Sequence, residues 1–259
     1  AELLYGIPIF GTMAHSYIEA HSDEETAFLK FAEANPGNVT LLIDTYDTIK
    51  GARTAARVAA KLSPKNIRVR AVRLDSGDLL TLSREVRTIL DEKGFPEIRI
   101  FASGNLDEYS VAELLSQGAP IDGFGIGTKL DTSADVPYLE CAYKLMEYAG
   151  EPRLKKSSGK ATYPGRKQVF RLVRNKRMMG DTIGLETERQ DGTPLIEKVM
   201  VGGKRLGQPE PLPELARRTA EQLQQMPPSL RRLTGTGSYP VAISDSLDRL
   251  KEETERRLF

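Results

Sequence analysis

The sequence predicts an α/β fold built on a parallel sheet, and three observations carry that expectation. Apolar runs rich in branched side chains occupy residues 39–43, 67–74, 98–101 and 121–126. The first three each pass through a polar or glycine-containing turn into a helical pattern, over residues 49–62, 79–93 and 106–117. The runs recur at intervals of roughly 20–30 residues, which is the length of a strand, a turn and a crossover helix.

Each element has its local reason. The first run alternates Val, Thr and Leu before Asp44, and the helix after it is alanine-rich with apolar residues at helical spacing. The helical pattern of 79–93 stops at Gly94, and that of 106–117 stops at Gly118, as helix C-termini commonly do. Near-continuous apolar strands imply a sheet covered on both faces, which a doubly wound sheet and a barrel satisfy equally. An apolar stretch at residues 5–10 is a candidate for one further strand.

Beyond about residue 150 the texture changes, giving domain limits of 1–150 and 151–259. Residues 151–165 are polar and read as an exposed loop. Strands are expected at 168–173, 182–186 and 196–201, the first two antiparallel. A proline-bearing linker at 207–213 and helices at 215–226 and 247–258 complete the reading.

Composition narrows the function classes. With 37 basic against 36 acidic residues the net charge is +1, so the chain lacks the charge excess that draws proteins to nucleic acid or anionic membranes. The one cysteine, Cys141, excludes an intrachain disulfide and suits a reducing, cytoplasmic setting. No apolar run reaches the roughly 20 residues of a membrane span. The chain opens at Ala1 rather than at a Met.

Chemistry is expected at the carboxyl ends of the strands, where ligands bind in parallel α/β folds. Those ends carry Asp44-Thr45-Tyr46-Asp47, Arg73-Leu74-Asp75-Ser76-Gly77-Asp78, Ser103-Gly104-Asn105 and Gly123-Phe124-Gly125-Ile126-Gly127-Thr128. Glycines at 125 and 127 let backbone N–H groups approach an anion, Thr128 adds a hydroxyl, and a helix starting there adds its dipole. A tight strand-to-loop connection is the competing explanation. Asp44, Asp75 and Asp78 are candidate Mg²⁺ ligands, although Asp44 and Asp78 equally suit helix caps. Arg73, a cation at a buried strand end, requires an anionic partner, either Asp75 or a substrate group. His15 follows the 5–10 run and falls at the same edge if that run is a strand.

Taken in order, Gly11-Thr12-Met13-Ala14-His15, Arg73-Leu74-Asp75-Ser76-Gly77-Asp78, Asp122-Gly123-Phe124-Gly125-Ile126-Gly127-Thr128 and Pro164-Gly165-Arg166-Lys167-Gln168 resemble the nicotinate phosphoribosyltransferase family. The Asp44-Thr45-Tyr46-Asp47 turn and Tyr239-Pro240-Val241 extend the resemblance over nearly the whole chain. It implies the irregular TIM-like β/α barrel of type II phosphoribosyltransferases, with additional C-terminal strands and helices. It also implies condensation of nicotinate with phosphoribosyl pyrophosphate to nicotinate mononucleotide and pyrophosphate, with coupled ATP hydrolysis, in NAD biosynthesis. His15 matches the family's phosphorylated histidine. Asp44 matches an acidic residue near pyrophosphate and Mg²⁺, and Asp75 a catalytic carboxylate. Arg73, Ser76, Gly77, Gly104 and Asn105 match substrate-binding positions, and Gly125, Gly127 and Thr128 the turn holding the 5′-phosphate. Family chains extend further at the N-terminus, so a separate segment or the second subunit of a homodimer is expected to bring the aromatic residues that stack on nicotinate. Two alternatives stand beside this reading: a sibling enzyme acting on nicotinamide or quinolinate, and a non-catalytic module that binds a phosphorylated ligand.

Overall fold

Buried Val39, Leu41 and Leu42 make residues 39–42 a strand, and they nucleate the first of two units into which the chain divides, one ending at Leu139 and one running from Glu140 to Phe259. The computed structural model describes residues 2–235 and 237–259. In the first unit the helices α1 (Glu2–Tyr5), α2 (His15–Glu19) and α3 (Glu24–Ala34) precede the sheet. The order is then β1 (Val39–Leu42), α4 (Thr48–Leu62), β2 (Val69–Leu74), α5 (Leu79–Glu92), β3 (Arg99–Ala102), α6 (Glu108–Ser116), β4 (Gly123–Phe124) and α7 (Thr128–Asp131).

All four strands are parallel and pair in the order β1-β2-β3-β4. A doubly wound sheet reverses its order at a switch point. This one does not, so crossovers of one hand stack the helices on one face, as in the wall of a β/α barrel. The sequential order is compatible with part of such a wall. In β3, Ile100 and Ala102 are buried while Arg99 and Phe101 are exposed, so one face carries the core. Phe28, Leu41, Val58, Leu62, Val72, Leu90 and Ile100 belong to that core.

Register is what positions the site. Leu42 sits opposite Arg73, Arg73 opposite Phe101, and Phe101 opposite Gly123. Two residues further along each strand, Asp44, Asp75, Ser103 and Gly125 therefore fall in one row across the carboxyl edge. A period of two keeps them on a common face of the pleat while the strands remain extended.

Some expectations are corrected. Residues 5–10 form no strand: Gly6 turns at φ 65° and Pro8 has no N–H to donate, and Ile9 and Phe10 are exposed. The fourth apolar run pairs only at Gly123 and Phe124, where a Cβ on Gly123 would lie 2.4 Å from the Phe101 ring.

In the second unit the strands are β5 (Glu147–Tyr148), β6 (Glu151–Pro152), β7 (Lys167–Arg174), β8 (Arg177–Leu185), β9 (Thr193–Pro194), β10 (Met200–Val201) and β11 (Lys204–Arg205). Helix α8 (Leu212–Gln225), strand β12 (Val241–Ile243) and helix α9 (Asp245–Leu258) complete it. β7 and β8 are the expected antiparallel pair, joined by Asn175 and Lys176, both at positive φ as a type I′ turn requires. β9 pairs with β7 and β12 runs parallel to β8. The boundary after Leu139 precedes the change of texture at 150 because the Met146 carbonyl accepts from Arg153 and Gly165, tying residues 140–150 to the second unit. The strand expected at 196–201 is reduced to the two-residue β10, for Ile196, Val199 and Met200 are all exposed and bury nothing. The linker at 207–213 ends early, because Pro213 enters the first turn of α8, where a missing N–H costs little. Among the described residues no helix is long and apolar enough to cross a membrane.

The contact that seats α4 on the sheet is testable. A Cβ at Gly51 would lie 2.0 Å from the Ile43 carbonyl oxygen. Gly51→Ala is expected to destabilise the unit by about 1–3 kcal/mol, the usual cost of overpacking. Denaturant titration reads this as a lower midpoint at constant slope, and an unchanged midpoint refutes the close approach.

Candidate functional site

The strand-end row is knitted by side chains. Asp44 Oδ2 accepts from the Asp75 N–H at 2.9 Å and from Ser76 Oγ at 2.7 Å, joining the ends of β1 and β2. Ser103 Oγ donates to Asp75 Oδ1 at 2.5 Å and accepts from Arg73 Nε at 2.8 Å, joining β2 to β3. Arg73 Nη2 closes the triangle on Asp75 Oδ1 at 2.5 Å, and Nη1 lies 3.5 Å from the Met13 carbonyl. Arg73 thus finds its anionic partner within the chain.

His15 opens α2. Its Nδ1 meets Thr45 Oγ1 at 3.1 Å, and its Nε2 lies 3.7 Å from Asp75 Oδ2. The segment leading to it is anchored by Thr12 Oγ1, which donates to the Thr40 carbonyl at 2.6 Å. His15 therefore reaches the row without the strand expected before it.

Charges in the row are unequal. Burial works against an ionised Asp75, but hydrogen bonds from Ser103 and Arg73, the Arg73 charge and His15 outweigh it, holding the carboxyl below its ordinary range. Asp44 keeps Oδ1 buried and without a hydrogen-bond partner. One anomaly lies nearby. Glu24, in the first turn of α3, has its carboxyl pushed up to about 7, first by burial and then by the Asp47 and Asp44 carboxylates against the opposing Arg57 charge. Its Oε1 is also buried and unpartnered.

Beside the row a cleft of about 370 Å³ is lined by residues 104–106 after β3 and by Gly125, Gly127, Thr128 and Lys129 after β4. Row and cleft meet at Gly104, where φ is +96° and a Cβ would lie 1.8 Å from the Asp75 carbonyl oxygen. Only glycine permits both the turn and the approach. The N–H of Gly125 is occupied by the Ala102 carbonyl at 2.8 Å, while the residue itself lines the cleft. Among the described lining residues the N–H groups of Gly104, Asn105, Leu106 and Gly127 have no backbone partner, and they are donors the cleft can offer.

Two other expectations change. Asp78 is the N-cap of α5, accepting from the Leu80 and Thr81 N–H groups, and it leaves the set of candidate ligands. The cap of α4 is Asp47, so Asp44 is released from that duty. Gly77, at φ +82°, makes the turn into α5. The Pro164-Gly165-Arg166-Lys167 stretch lies in the second unit, where Lys167 Nζ donates at 2.7 Å to the carbonyls of Tyr163 and Gly165, which is a loop-closing role. Thr45, Ser103, Lys129 and Glu24 were not among the expected site residues. The first three stand within or beside motifs already singled out, whereas an acidic residue in a helix's first turn carries no such signal.

A family model described as the nicotinate phosphoribosyltransferase C-terminal domain matches residues 189–251. A nicotinate phosphoribosyltransferase of Mycobacterium tuberculosis is 49% identical over 245 residues, covering 94% of this chain and 52% of that protein. The chain belongs to the nicotinate phosphoribosyltransferase family. Another member, from Bacillus subtilis, is 43% identical over 71% of this chain and 39% of its own length. The chain thus spans about half the length, or less, of these family members. The fold agrees with the crystal structure of human nicotinic acid phosphoribosyltransferase at a TM-score of 0.82, with 24% identity, over 97% of this chain and 63% of that one. The crystal structure of nicotinate-nucleotide pyrophosphorylase from Pyrococcus furiosus aligns with a TM-score of 0.71 and 26% identity, over 87% and 58% of the two chains.

In this family member the raised carboxyl of Glu24 makes stability depend on pH. The folded chain holds that proton up to about pH 7, whereas the unfolded chain releases it near 4.5. Its contribution is therefore complete below the lower value and is lost as pH rises through the upper one. Glu24→Gln carries no charge to bury. It is expected to melt with the native protein near pH 5 and a few degrees above it near pH 8. Thermal melts across that range check this, and a gap that fails to open with rising pH contradicts it.

Proposed function

We propose that this chain carries part of the active site of an enzyme that transfers a phosphoribosyl group from phosphoribosyl pyrophosphate to nicotinate, forming nicotinate mononucleotide and pyrophosphate. The observation that supports it most is the cross-tied row of Asp44, Asp75, Arg73 and Ser103 alongside a cleft with free backbone donors. Departure of pyrophosphate leaves positive charge on the ribose. A carboxylate held ionised in a half-buried setting, as Asp75 is, stabilises that charge without reorganising. Arg73 is already committed through Nε and Nη2, and Nη1, which has only a 3.5 Å contact to the Met13 carbonyl, is the arm left for the carboxylate of nicotinate. That preference favours nicotinate over an uncharged amide. Gly104, Asn105, Gly127 and Thr128 receive the 5′-phosphate, so both ends of the sugar are fixed while the pyridine nitrogen attacks.

Mg²⁺ fits a one-carboxylate site. Asp44 Oδ1 is the unpartnered oxygen, and an ion carried in by the substrate phosphates and water would take it as a protein ligand. Bound there, it would neutralise the leaving pyrophosphate.

ATP coupling is assigned to His15. In the tautomer that carries its proton on Nδ1, His15 donates to Thr45 Oγ1 and leaves the Nε2 lone pair for attack. Nε2 attacks the terminal phosphorus of ATP, a P–N bond forms as the P–O bond to ADP breaks, and water later returns the phosphoryl group as phosphate. The complete reaction is assigned to a homodimer in which further chain closes the base site.

His15→Ala in the full-length protein is expected to lower ATP hydrolysis by about 100-fold or more, as loss of a nucleophile does. Turnover of nicotinate with phosphoribosyl pyrophosphate should persist at a slow rate that ATP no longer accelerates. Initial rates with and without ATP decide it, and retained stimulation by ATP removes the coupling role.

A further inference from the structure

The cleft raises an electrostatic problem. A phosphate monoester carries between one and two negative charges near neutral pH. The glycine and Thr128 lining is uncharged. The helix that begins at Thr128 is a single turn of 4 residues, so few peptide dipoles add up behind it. Backbone N–H groups alone leave much of that charge uncompensated once water is displaced.

Lys129 is the one charged side chain among the lining residues. Its Nζ donates to Asp107 Oδ2 at 2.6 Å, with the lysine side chain 33% and the aspartate 22% exposed. Asp107 is itself immobilised. Its Oδ1 accepts from the Ser110 N–H and from Ser110 Oγ, each at 2.8 Å, and its own N–H donates back to Ser110 Oγ at 2.9 Å, a capping box that starts α6. The lysine is thus held by a carboxylate that cannot follow it. An ammonium has three N–H donors. With one on Asp107, two remain for a ligand.

We propose that Lys129 is the cation that binds the phosphate end of the substrate in this cleft, and that Asp107 is a positioning residue that holds the ammonium at its wall. The proposal rests on the phosphoribosyl reading for the identity of the ligand, and on the ion pair and cleft for the site. The Lys129 contact, with the Ser110 hydrogen bonds, also keeps the Asp107 carboxyl far below its ordinary range. A charge of this kind acts on binding. It lies away from the bond that breaks, so its loss should appear in KM rather than kcat.

The test uses the full-length protein with ribose 5-phosphate as probe, by calorimetry at two salt concentrations, alongside the KM and kcat for phosphoribosyl pyrophosphate. Lys129→Gln is expected to weaken ribose 5-phosphate about tenfold, the scale of one charge-assisted hydrogen bond. It should raise KM in proportion, leave kcat within about twofold, and flatten the salt dependence. Lys129→Arg should restore most of the affinity. Asp107→Asn, which keeps a competent helix cap, should weaken the probe several-fold without shifting the melting temperature. Unchanged affinity in Lys129→Gln overturns the role of Lys129, as does a native protein that does not bind the probe. Unchanged or tighter binding in Asp107→Asn overturns the role of Asp107. Lys129-dependent binding in a protein that does not turn over nicotinate would keep this assignment and remove the proposed reaction. Turnover with Lys129-independent binding would do the reverse.

Discussion

The site depends on one interaction above the others, the acceptance by Asp44 Oδ2 of both the Asp75 N–H and the Ser76 hydroxyl. Parallel strands bring their ends near one another, but nothing in the ladder fixes the chain once it leaves the sheet. The Asp44 carboxylate does so by bonding to backbone and side chain at once. Asp75 is then presented at a set height, where Arg73 and Ser103 can reach it. If Asp44 were replaced by an apolar residue, the Asp75 N–H would lose its acceptor, and a stranded buried donor costs about 1–3 kcal/mol. The row would loosen before any reacting group was touched.

The same interaction explains why the two aspartates are chemically different. Asp44 receives neutral donors and retains one oxygen that no group in the chain satisfies. Asp75 receives a guanidinium and a hydroxyl and faces the His15 ring. One carboxylate is left with capacity for a further ligand and the other is locked in its ionised form. Two acids in adjoining positions of one row thereby have different partners, and it is the neighbours on β2 and β3 that set them apart.

Much of the architecture was legible in the sequence. The β-α repeat, the three long helices and the glycines that stop α5 and α6 come from periodicity and capping chemistry, which are local. The order of the strands was not, because order is decided by which crossover packs against which, and no single segment contains that information. The apolar residues 5–10 misled for a related reason. Apolarity marks a surface that needs a partner, but Pro8 and Gly6 deny this stretch the ladder. In the second unit the same held for Ile196 and Val199.

The aspartates show where the legibility of the site stops. Residues 44, 47, 75, 78 and 107 are all aspartates that come after strands, and sequence offers one description for all of them. The structure divides them: 47, 78 and 107 cap helices, while 44 and 75 bond across the strand ends. The ambiguity is physical. A helix N-terminus and a ligand site both call for a compact acceptor at the end of a strand, and aspartate serves either. Distance to the next helical turn separates them, since the three caps each bond a backbone N–H two or three residues onward and 44 and 75 do not. Asp107 combines the two duties, with one oxygen on Ser110 and the other on Lys129. A cap is thus also a fixed anion at a known place, and any cation that settles on it inherits that place. In this fold the helix after β3 thereby orients a charge that lies beyond β4.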